Sequence, residues 1–213
     1  MIRAVIKRIW LTLSALVGLV AGTVGLTLLG SFPLYWGEIH WLKLTEYGFT
    51  SGQLFGNYRQ LMAYLNFPWV QPLRMRDFPT SVAGAQHFGD VKQLFLLAWL
   101  LLLLSLPGLV VFFRSEQWRR QVESLYYPAW VVALLPVVVG GLAALDFDQF
   151  FVTFHHLFFN NNNWLFDPQT DPVIMVLPEA FFAHCFILAF VCFEAMLVVT
   201  IIRGYRARQR LSR

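Results

Sequence analysis

Charge is scarce in this sequence. Of its 213 residues only 13% are charged, whereas 58% are hydrophobic and 17% are aromatic. A single soluble core of this size has too little interior to bury so much apolar surface. The composition therefore excludes an ordinary water-soluble globular protein and favours a chain that is dissolved in a lipid bilayer.

Cysteine is scarce too, and several known sequence signatures are missing. Cys185 and Cys192 lie seven residues apart in one apolar stretch, where free thiols behave as small hydrophobic groups. They predict neither a disulfide framework nor a metal site. The chain has no HExxH pattern, no paired CxxC spacing, no Gly-rich phosphate loop and no GxSxG elbow. We therefore expect no metal and no cofactor.

Long apolar stretches are what the sequence does contain. A helix needs roughly 20 residues, at 1.5 Å per residue, to cross about 30 Å of hydrocarbon. The stretches of this kind predict four transmembrane helices, and no internal repeat or low-complexity linker indicates a second domain. We therefore predict one all-α integral membrane domain over residues 1–213, with spans at 9–30, 91–113, 129–145 and 180–202.

The charges are sorted by segment. The connections 31–90 and 146–179 hold nine of the 12 acidic residues, whereas the first tail, the middle loop and the last tail hold 11 of the 16 basic ones. By the positive-inside rule both termini are cytoplasmic and the two connections face outward. Because basic tails are usual topology signals, we expect no nucleic-acid binding. The 11 basic residues of the two tails and the middle loop are Arg3, Lys7, Arg8, Arg114, Arg119, Arg120, Arg203, Arg206, Arg208, Arg210 and Arg213.

The first outward connection is long enough to form a small extracytoplasmic cap. Its aromatic, partly alternating start at Phe32–Leu44 predicts one or two short strands. Thr50 or Ser51 then caps a helix that stops before Pro68. Its apolar face is formed by residues at helical spacing, namely Leu54, Tyr58, Leu61 and Leu65.

The second outward connection begins with a phenylalanine stripe. Five phenylalanines between Phe147 and Phe158 share one helical face, which predicts an interfacial amphipathic helix at the top of the third span. On this helix His156 points away from the stripe, whereas His155 lies at its edge on the side of Asp148. Asn160–Asn163 end the helix, and a turn-rich loop follows.

Two histidines, each at helical spacing from a carboxylate, are the candidates for acid–base chemistry. His87 and Asp90 are three residues apart and share a helical face, with Lys92 about one turn away, and His155 is paired with Asp148 in the same manner. A histidine held by a carboxylate is a good general base near neutral pH. The simpler alternative is that water and lipid headgroups satisfy these interfacial histidines. The sequence assigns no role to His184 or Glu194, which lie inside the fourth span.

Several motifs, taken in order, resemble the bacterial lipoprotein intramolecular transacylase family from about residue 50 to about residue 185. The resemblance is greatest in the block that begins with Phe154-His155 and ends with Leu177-Pro178-Glu179. The motifs are Asn57-Tyr58-Arg-Gln-Leu61, His87-Phe-Gly-Asp90-Val91-Lys92, Phe154-His155-His-Leu-Phe158-Phe159, Asn163-Trp164-Leu-Phe166-Asp167-Pro168 and Leu177-Pro178-Glu179.

The resemblance implies an acyl transfer within one substrate. The acyl chain at the middle glycerol carbon of a diacylglyceryl-cysteine lipoprotein would move to the α-amine of the same cysteine, giving a lyso-form lipoprotein. The partners would be this diacylated lipoprotein and membrane lipids, at the extracytoplasmic face of the bacterial cytoplasmic membrane. No cofactor is implied, and the oligomeric state is left open.

The resemblance also places two catalytic residues, His155 and His87, with their acid and base roles interchangeable. We expect a second group of residues to polarise the ester carbonyl, to position the headgroup or to orient the site. This supporting group consists of Asp90, Asp148, Lys92, Tyr58, Asn163, Trp164, Asp167 and Glu179.

Two other classes of function compete with this interpretation. The first is a non-catalytic membrane partner protein, in which the cap docks another protein and the polar cluster is structural. The second is a haem or metal membrane protein with His87 and His155 as ligands. Adjacent helical residues such as His155 and His156 diverge by about 100°, so both seldom reach one ion.

Overall fold

The computed structural model describes residues 2–114 and 116–211, and within these ranges the chain is helical, with no strand. The prediction of an all-helical chain is confirmed. The helices are α1 (Ile2–Trp41), α2 (Ser51–Asn66), α3 (Val82–Arg114), α4 (Glu116–Leu145), α5 (Phe147–Phe158), α6 (Val173–Val176) and α7 (Glu179–Leu211).

Among the residues that the structure describes, three helices are long and apolar enough to cross a membrane, namely Val5–Trp41, Val82–Val111 and Glu179–Arg203. They contain the predicted spans 9–30 and 180–202 and most of 91–113. The apolar end of α4, Trp130–Leu145, is separated from α5 by a break at Asp146, and counting this bent pair as one span raises the total from three to four. The predicted third span, 129–145, therefore stays a prediction.

Part of the charge pattern cannot be compared with the structure. The structure describes the backbone but not the side chains of the following residues, which contribute to the predicted orientation: Glu116, Arg119, Arg120, Glu123, Arg208 and Arg210. Arg213 lies outside the described residues.

The chain forms two compact units. The first consists of Met1–Thr27, Ala98–Ala144 and Ile187–Arg213. Its helices approach each other through small residues, as membrane helices commonly do. A Cβ atom on Gly108 would collide with Ser14, and a Cβ on Gly18 would lie 2.7 Å from Leu109. These glycines therefore set how closely α1 and α3 can pack.

The second unit consists of Leu28–Leu97 and Leu145–Phe186 and contains every residue of the candidate site. Here the predicted strands are wrong, because α1 continues to Trp41 and a short 3₁₀ helix, Leu44–Tyr47, follows. Tyr35, Glu38 and Ile39 are spaced three and four residues apart and are at most 1% exposed. An aromatic-rich segment can satisfy the helical and the alternating pattern together, and burial along one face of α1 decided between them.

Helix α2 confirms the prediction for the middle of the cap. Thr50 forms a capping box with Gln53, and the helix ends at Asn66, before Pro68. The four predicted apolar positions are all at most 5% exposed, namely Leu54, Tyr58, Leu61 and Leu65. The local signals of cap, spacing and stop therefore agree with the tertiary packing.

The start of α3 is anchored by the loop that precedes α6. The buried carboxylate of Asp171 accepts hydrogen bonds from the backbone nitrogen of Ser81, at 2.8 Å, and from the hydroxyl of Thr170, at 2.9 Å. Ser81 in turn accepts from the backbone nitrogen of Gly84, as an N-cap does. A Cβ at Gly84 would collide with Asp171, so glycine allows the loop to approach α3 closely.

Candidate active site

Two histidines that are distant in sequence come together in the second unit. His87 lies on α3 and His155 on α5, and their ring centroids are 5.7 Å apart. They are 7% and 8% exposed, respectively. The structure therefore places the two predicted catalytic residues in one buried site, close enough to act on a single small group between or beside them.

Aromatic rings form the walls of this site. The centroid of His87 lies 4.8 Å from Phe159 and 5.5 Å from Phe166. His155 lies 4.2 Å from Phe151 and stacks on Trp164 at 4.6 Å with an angle of 29° between the planes. Such walls exclude water, so any charge that develops here interacts more strongly with its neighbours than it would in solution.

His155 has one ring nitrogen engaged. Its Nδ1 lies 2.8 Å from the backbone oxygen of Phe151. Because a carbonyl oxygen only accepts, Nδ1 is the donor, and in the neutral ring the free lone pair then belongs to Nε2. This tautomer presents Nε2 as the atom that can take up a proton.

The predicted pairing of His155 with Asp148 is wrong. The histidine contacts the carbonyl of Phe151, whereas Asp148 forms a side-chain hydrogen bond with Glu179. Seven residues of helix span about 10.5 Å along the axis, which is too far for these side chains to meet. Glu179 is thereby placed against Asp148, at the start of α7.

The predicted orientation of His87 by Asp90 is not seen either. Nδ1 of His87 is buried and has no hydrogen-bond partner among the described residues. The Oδ2 atom of Asp90 instead accepts from Nδ2 of Asn161, at 3.1 Å. A buried ring nitrogen without a partner is costly.

The loop after α5 is fastened to α3 on either side of His87. Asn161 bonds to Asp90, and Nδ2 of Asn163 donates to Oε1 of Gln86 at 3.1 Å. Nε1 of Trp164 donates to the backbone oxygen of Asn161 at 3.0 Å, which directs the indole toward His155. This loop therefore connects the helix that carries one histidine with the ring that stacks on the other.

Four of these neighbours are not among the site residues predicted from the sequence, namely Gln86, Phe159, Asn161 and Phe166. The one available signal was the run of four asparagines after α5, because asparagine side chains commonly tie loops together. That signal does not say which asparagine bonds to which helix.

Lys92 and Tyr58 lie in other surroundings. Nζ of Lys92 donates to the backbone oxygen of Val70 at 2.8 Å and sits 4.3 Å above the ring of Tyr64. The Tyr58 hydroxyl donates to Oγ of Ser31 at 2.6 Å. Burial, partly offset by that hydrogen bond, raises the pKa of Tyr58. The described contacts of these two residues involve neither histidine, so they support the surrounding fold.

Asp167 and His156 lie at the margin of the site. Oδ1 of Asp167 accepts from the backbone nitrogen of Gln169 at 2.9 Å, as in a turn. His156 is exposed and touches Trp164 only edge-on, with 5.4 Å between centroids. This agrees with its predicted direction, away from the phenylalanine stripe.

No metal-ligand cluster is found in the described part of the chain, where groups of three or more His, Cys, Asp or Glu side chains do not occur. The haem or metal alternative would thus rely on His87 and His155 alone as protein ligands.

Comparison with known proteins gives a consistent result. The sequence model of the family described as lipoprotein intramolecular transacylase Lit matches residues 9–182. No curated protein sequence matches the chain at a significant level. The fold is similar to that of the membrane-integral lipoprotein intramolecular transacylase Lit from Bacillus cereus, with a TM-score of 0.80, 22% identity, and 98% of this chain and 99% of that chain covered.

Two further structures of the Bacillus cereus protein are also similar. One carries a histidine-to-arginine substitution, with a TM-score of 0.72, 22% identity, and 100% of this chain and 97% of that chain covered. The other carries a histidine-to-alanine substitution, with the same TM-score and identity, and 100% and 98% covered. At this level of identity these likenesses establish the fold.

Proposed function

The chain belongs to the lipoprotein intramolecular transacylase family, whose members are acyltransferase-type membrane proteins, and from this premise we propose its reaction. The substrate is a lipoprotein whose amino-terminal cysteine carries a diacylglyceryl group. The acyl chain at the middle glycerol carbon (sn-2) moves to the α-amine of that cysteine, and a lyso-form lipoprotein results. The observation that carries the proposal is the pair of buried imidazoles whose centroids lie 5.7 Å apart.

The chemistry needs one proton acceptor and one proton donor. The neutral α-amine attacks the ester carbonyl, so that an N–C bond forms and the C–O bond to glycerol breaks. Nε2 of His155 takes the proton that the amine loses, and the proton passes from the His155 imidazolium by way of His87 to the departing glycerol oxygen, so that both rings start and end neutral. The reverse assignment of the two rings balances equally. The net change moves one acyl group from oxygen to nitrogen and one hydrogen from nitrogen to oxygen.

No acyl-enzyme is required. Amine and ester belong to the same molecule, and holding two reacting groups in place is worth roughly 7 to 11 kcal/mol in well-oriented intramolecular reactions. The aromatic walls formed by Phe151, Phe159 and Phe166 keep water, the competing nucleophile, away from the carbonyl. The site therefore favours aminolysis within the substrate over hydrolysis.

The supporting residues divide by their contacts. Asp90, Asn163 and Trp164 hold the loop over the two histidines. The remaining ones, by contrast, hold the frame around the site: Tyr58, Lys92, Asp148, Asp167 and Glu179.

We further propose that the site faces the extracytoplasmic side of the cytoplasmic membrane, with both termini in the cytoplasm. The support is the charge distribution, since the connections 31–90 and 146–179 hold nine of the 12 acidic residues. Mature lipoproteins would then present their terminal cysteine on the same side as the two histidines.

Mass spectrometry of a diacylated reporter lipopeptide, incubated with the purified protein in lipid, tests the proposal. The product should have an unchanged mass, and fragmentation should place one acyl chain on nitrogen. The double variant His87→Ala, His155→Ala should lose the reaction. His40→Ala is the matched control, because Nδ1 of His40 makes the same contact with the carbonyl four residues earlier, at 3.1 Å, but on an exposed surface.

A folded double variant that still forms the N-acyl product would show that these histidines are not the catalysts. A wild-type protein that forms none would favour the non-catalytic partner.

A further inference from the structure

Asn161, in the loop that follows α5 and lies over the histidines (residues 159–172), makes three hydrogen bonds. Its Nδ2 donates to Asp90 at 3.1 Å, and its Oδ1 accepts from the backbone nitrogen of Asn163 at 3.0 Å. Its backbone oxygen accepts from Nε1 of Trp164 at 3.0 Å. The residue thus uses its amide nitrogen, its amide oxygen and its carbonyl, each toward a different partner.

Two of these partners stand next to the two imidazoles. Asp90 lies about one turn beyond His87 on α3, and the Trp164 ring stacks on His155 at 4.6 Å. A shift of Asn161 would therefore change the support of His155 relative to the helix that carries His87. Loss of positional accuracy of even 1 Å between reacting groups lowers a rate strongly.

We infer that Asn161 is a positioning residue for the acyl transfer, and that Asp90 acts chiefly as the acceptor for Asn161 and not as the carboxylate partner of His87. The inference rests on the proposed function. It deepens that proposal, because the Asn161–Asp90 hydrogen bond would then fix the position of the two imidazoles relative to each other. Asp90 contributes chiefly through geometry, because His87 Nδ1 makes no hydrogen bond within the described residues and the carboxylate acts on the His87 ring only electrostatically.

Exchanging the amide of Asn161 and the carboxylate of Asp90 distinguishes a positioning role of Asp90 from an electrostatic one. Asp90→Asn keeps an acceptor oxygen opposite the Asn161 amide, so the hydrogen bond survives. Asn161→Asp places two carboxylates against each other and removes the donor. The double variant Asp90→Asn, Asn161→Asp restores the bond with donor and acceptor reversed. In this variant the new carboxylate at position 161 can still accept from the backbone nitrogen of Asn163.

The three variants have distinct expected activities. Asn161→Asp should lower kcat by about 10-fold to 100-fold, the size expected for a lost hydrogen bond to a charged group, with a much smaller change in KM. Asp90→Asn should lose much less kcat than Asn161→Asp, and the exchanged double variant should recover most of the kcat that Asn161→Asp loses. Hydrogen exchange of the backbone amides of residues 160–166 should rise in Asn161→Asp and return in the exchanged variant.

The opposite order of activity among the three variants would overturn the inference. If Asp90 acts as the charged partner of His87, Asp90→Asn and the exchanged variant should both be strongly impaired, and Asn161→Asp should be mild. Full activity of Asn161→Asp would overturn it as well. The control is Asn162→Asp, which adds the same charge at a neighbouring exposed side chain without a hydrogen bond in the described structure, and it should match wild type.

Failure of the proposed function is recognised separately. It shows in the wild-type protein before any substitution, as the absence of N-acyl product, and it would remove this inference with it. If the wild-type protein is active, the order of activity among the three variants decides whether the inference on Asn161 is correct.

Discussion

The carboxylate of Glu38 lies 2.7 Å from Nδ1 of His184, and the Glu38 side chain is fully buried. Within the described residues this is the one contact between a histidine and a carboxylate. It joins α1 to α7, and the Trp41 ring stacks on His184 at 5.1 Å with 10° between the planes. The carboxylate-held imidazole that the sequence led us to expect at His87 or His155 thus occurs elsewhere, between two helices of the frame.

Removing the histidine of this pair should destabilise the protein. His184→Ala leaves the buried carboxyl group of Glu38 without its neighbour, and a buried polar group that loses its partner costs about 1 to 3 kcal/mol. Replacing both residues by methionine should recover much of the loss. Thermal unfolding in detergent measures the effect, and a His184→Ala protein that unfolds at the wild-type temperature would contradict it.

Substituting His155 by asparagine should separate folding from catalysis. The asparagine amide can still donate to the carbonyl of Phe151, four residues earlier, but it cannot accept a proton from an amine. We expect near-wild-type thermal stability and a fall in kcat of at least about 100-fold, the contribution typical of a general base. The same substitution at the exposed His40 should leave kcat unchanged. Activity retained in the His155 variant would exclude it as the base.

The indole of Trp164 contributes a stacked ring and a hydrogen bond. Trp164→Phe keeps the aromatic surface against His155 and loses the bond from Nε1 to Asn161. The neutral hydrogen bond is worth about 1 kcal/mol, so kcat should fall by roughly fivefold. Trp164→Ala removes the ring as well and should lose considerably more. Equal activities for the two variants would show that the ring surface itself does not matter.

Tyr58 should contribute more to stability than to chemistry. Its ring stacks on Tyr35 at 4.3 Å, and its hydroxyl donates to Ser31. Tyr58→Phe removes one buried hydrogen bond, so stability should fall by about 1 kcal/mol while kcat changes little. A large loss of kcat at unchanged stability would return Tyr58 to the group that polarises the ester.

The proposed orientation can be tested by labelling in intact cells. Single cysteines at the exposed positions Tyr47 and Gln169, in a chain whose Cys185 and Cys192 are replaced by serine, should react with a membrane-impermeant thiol reagent. A cysteine replacing the exposed Arg206, in the last tail, should react only after the cells are opened. The reverse labelling pattern would place the histidines in the cytosol and exclude the proposed substrate.

Helix α2 shows what could be predicted from local sequence. Its cap at Thr50, its apolar face and its end before Pro68 all depend on residues within about one turn of each other, so they can be recognised without tertiary contacts. The same holds for the apolar segments in α1, α3 and α7, where bilayer thickness sets the length. The start of the cap was mispredicted because Phe32–Leu44 satisfies two patterns, and burial against distant residues selected the helix.

The candidate site likewise has some features that the sequence predicts and others that only the tertiary structure shows. The sequence by itself determined the helical membrane class and named the two histidines, since apolar length and the motifs around His87 and His155 are properties of the chain. Only the tertiary structure decided the polar partners: Asn161 for Asp90, Glu179 for Asp148 and His184 for Glu38. Each of these pairs joins residues more than 30 positions apart, and a hydrogen bond or an ion pair requires atoms within about 3 to 4 Å. Short-range spacing carries no information on which distant donor arrives at that distance.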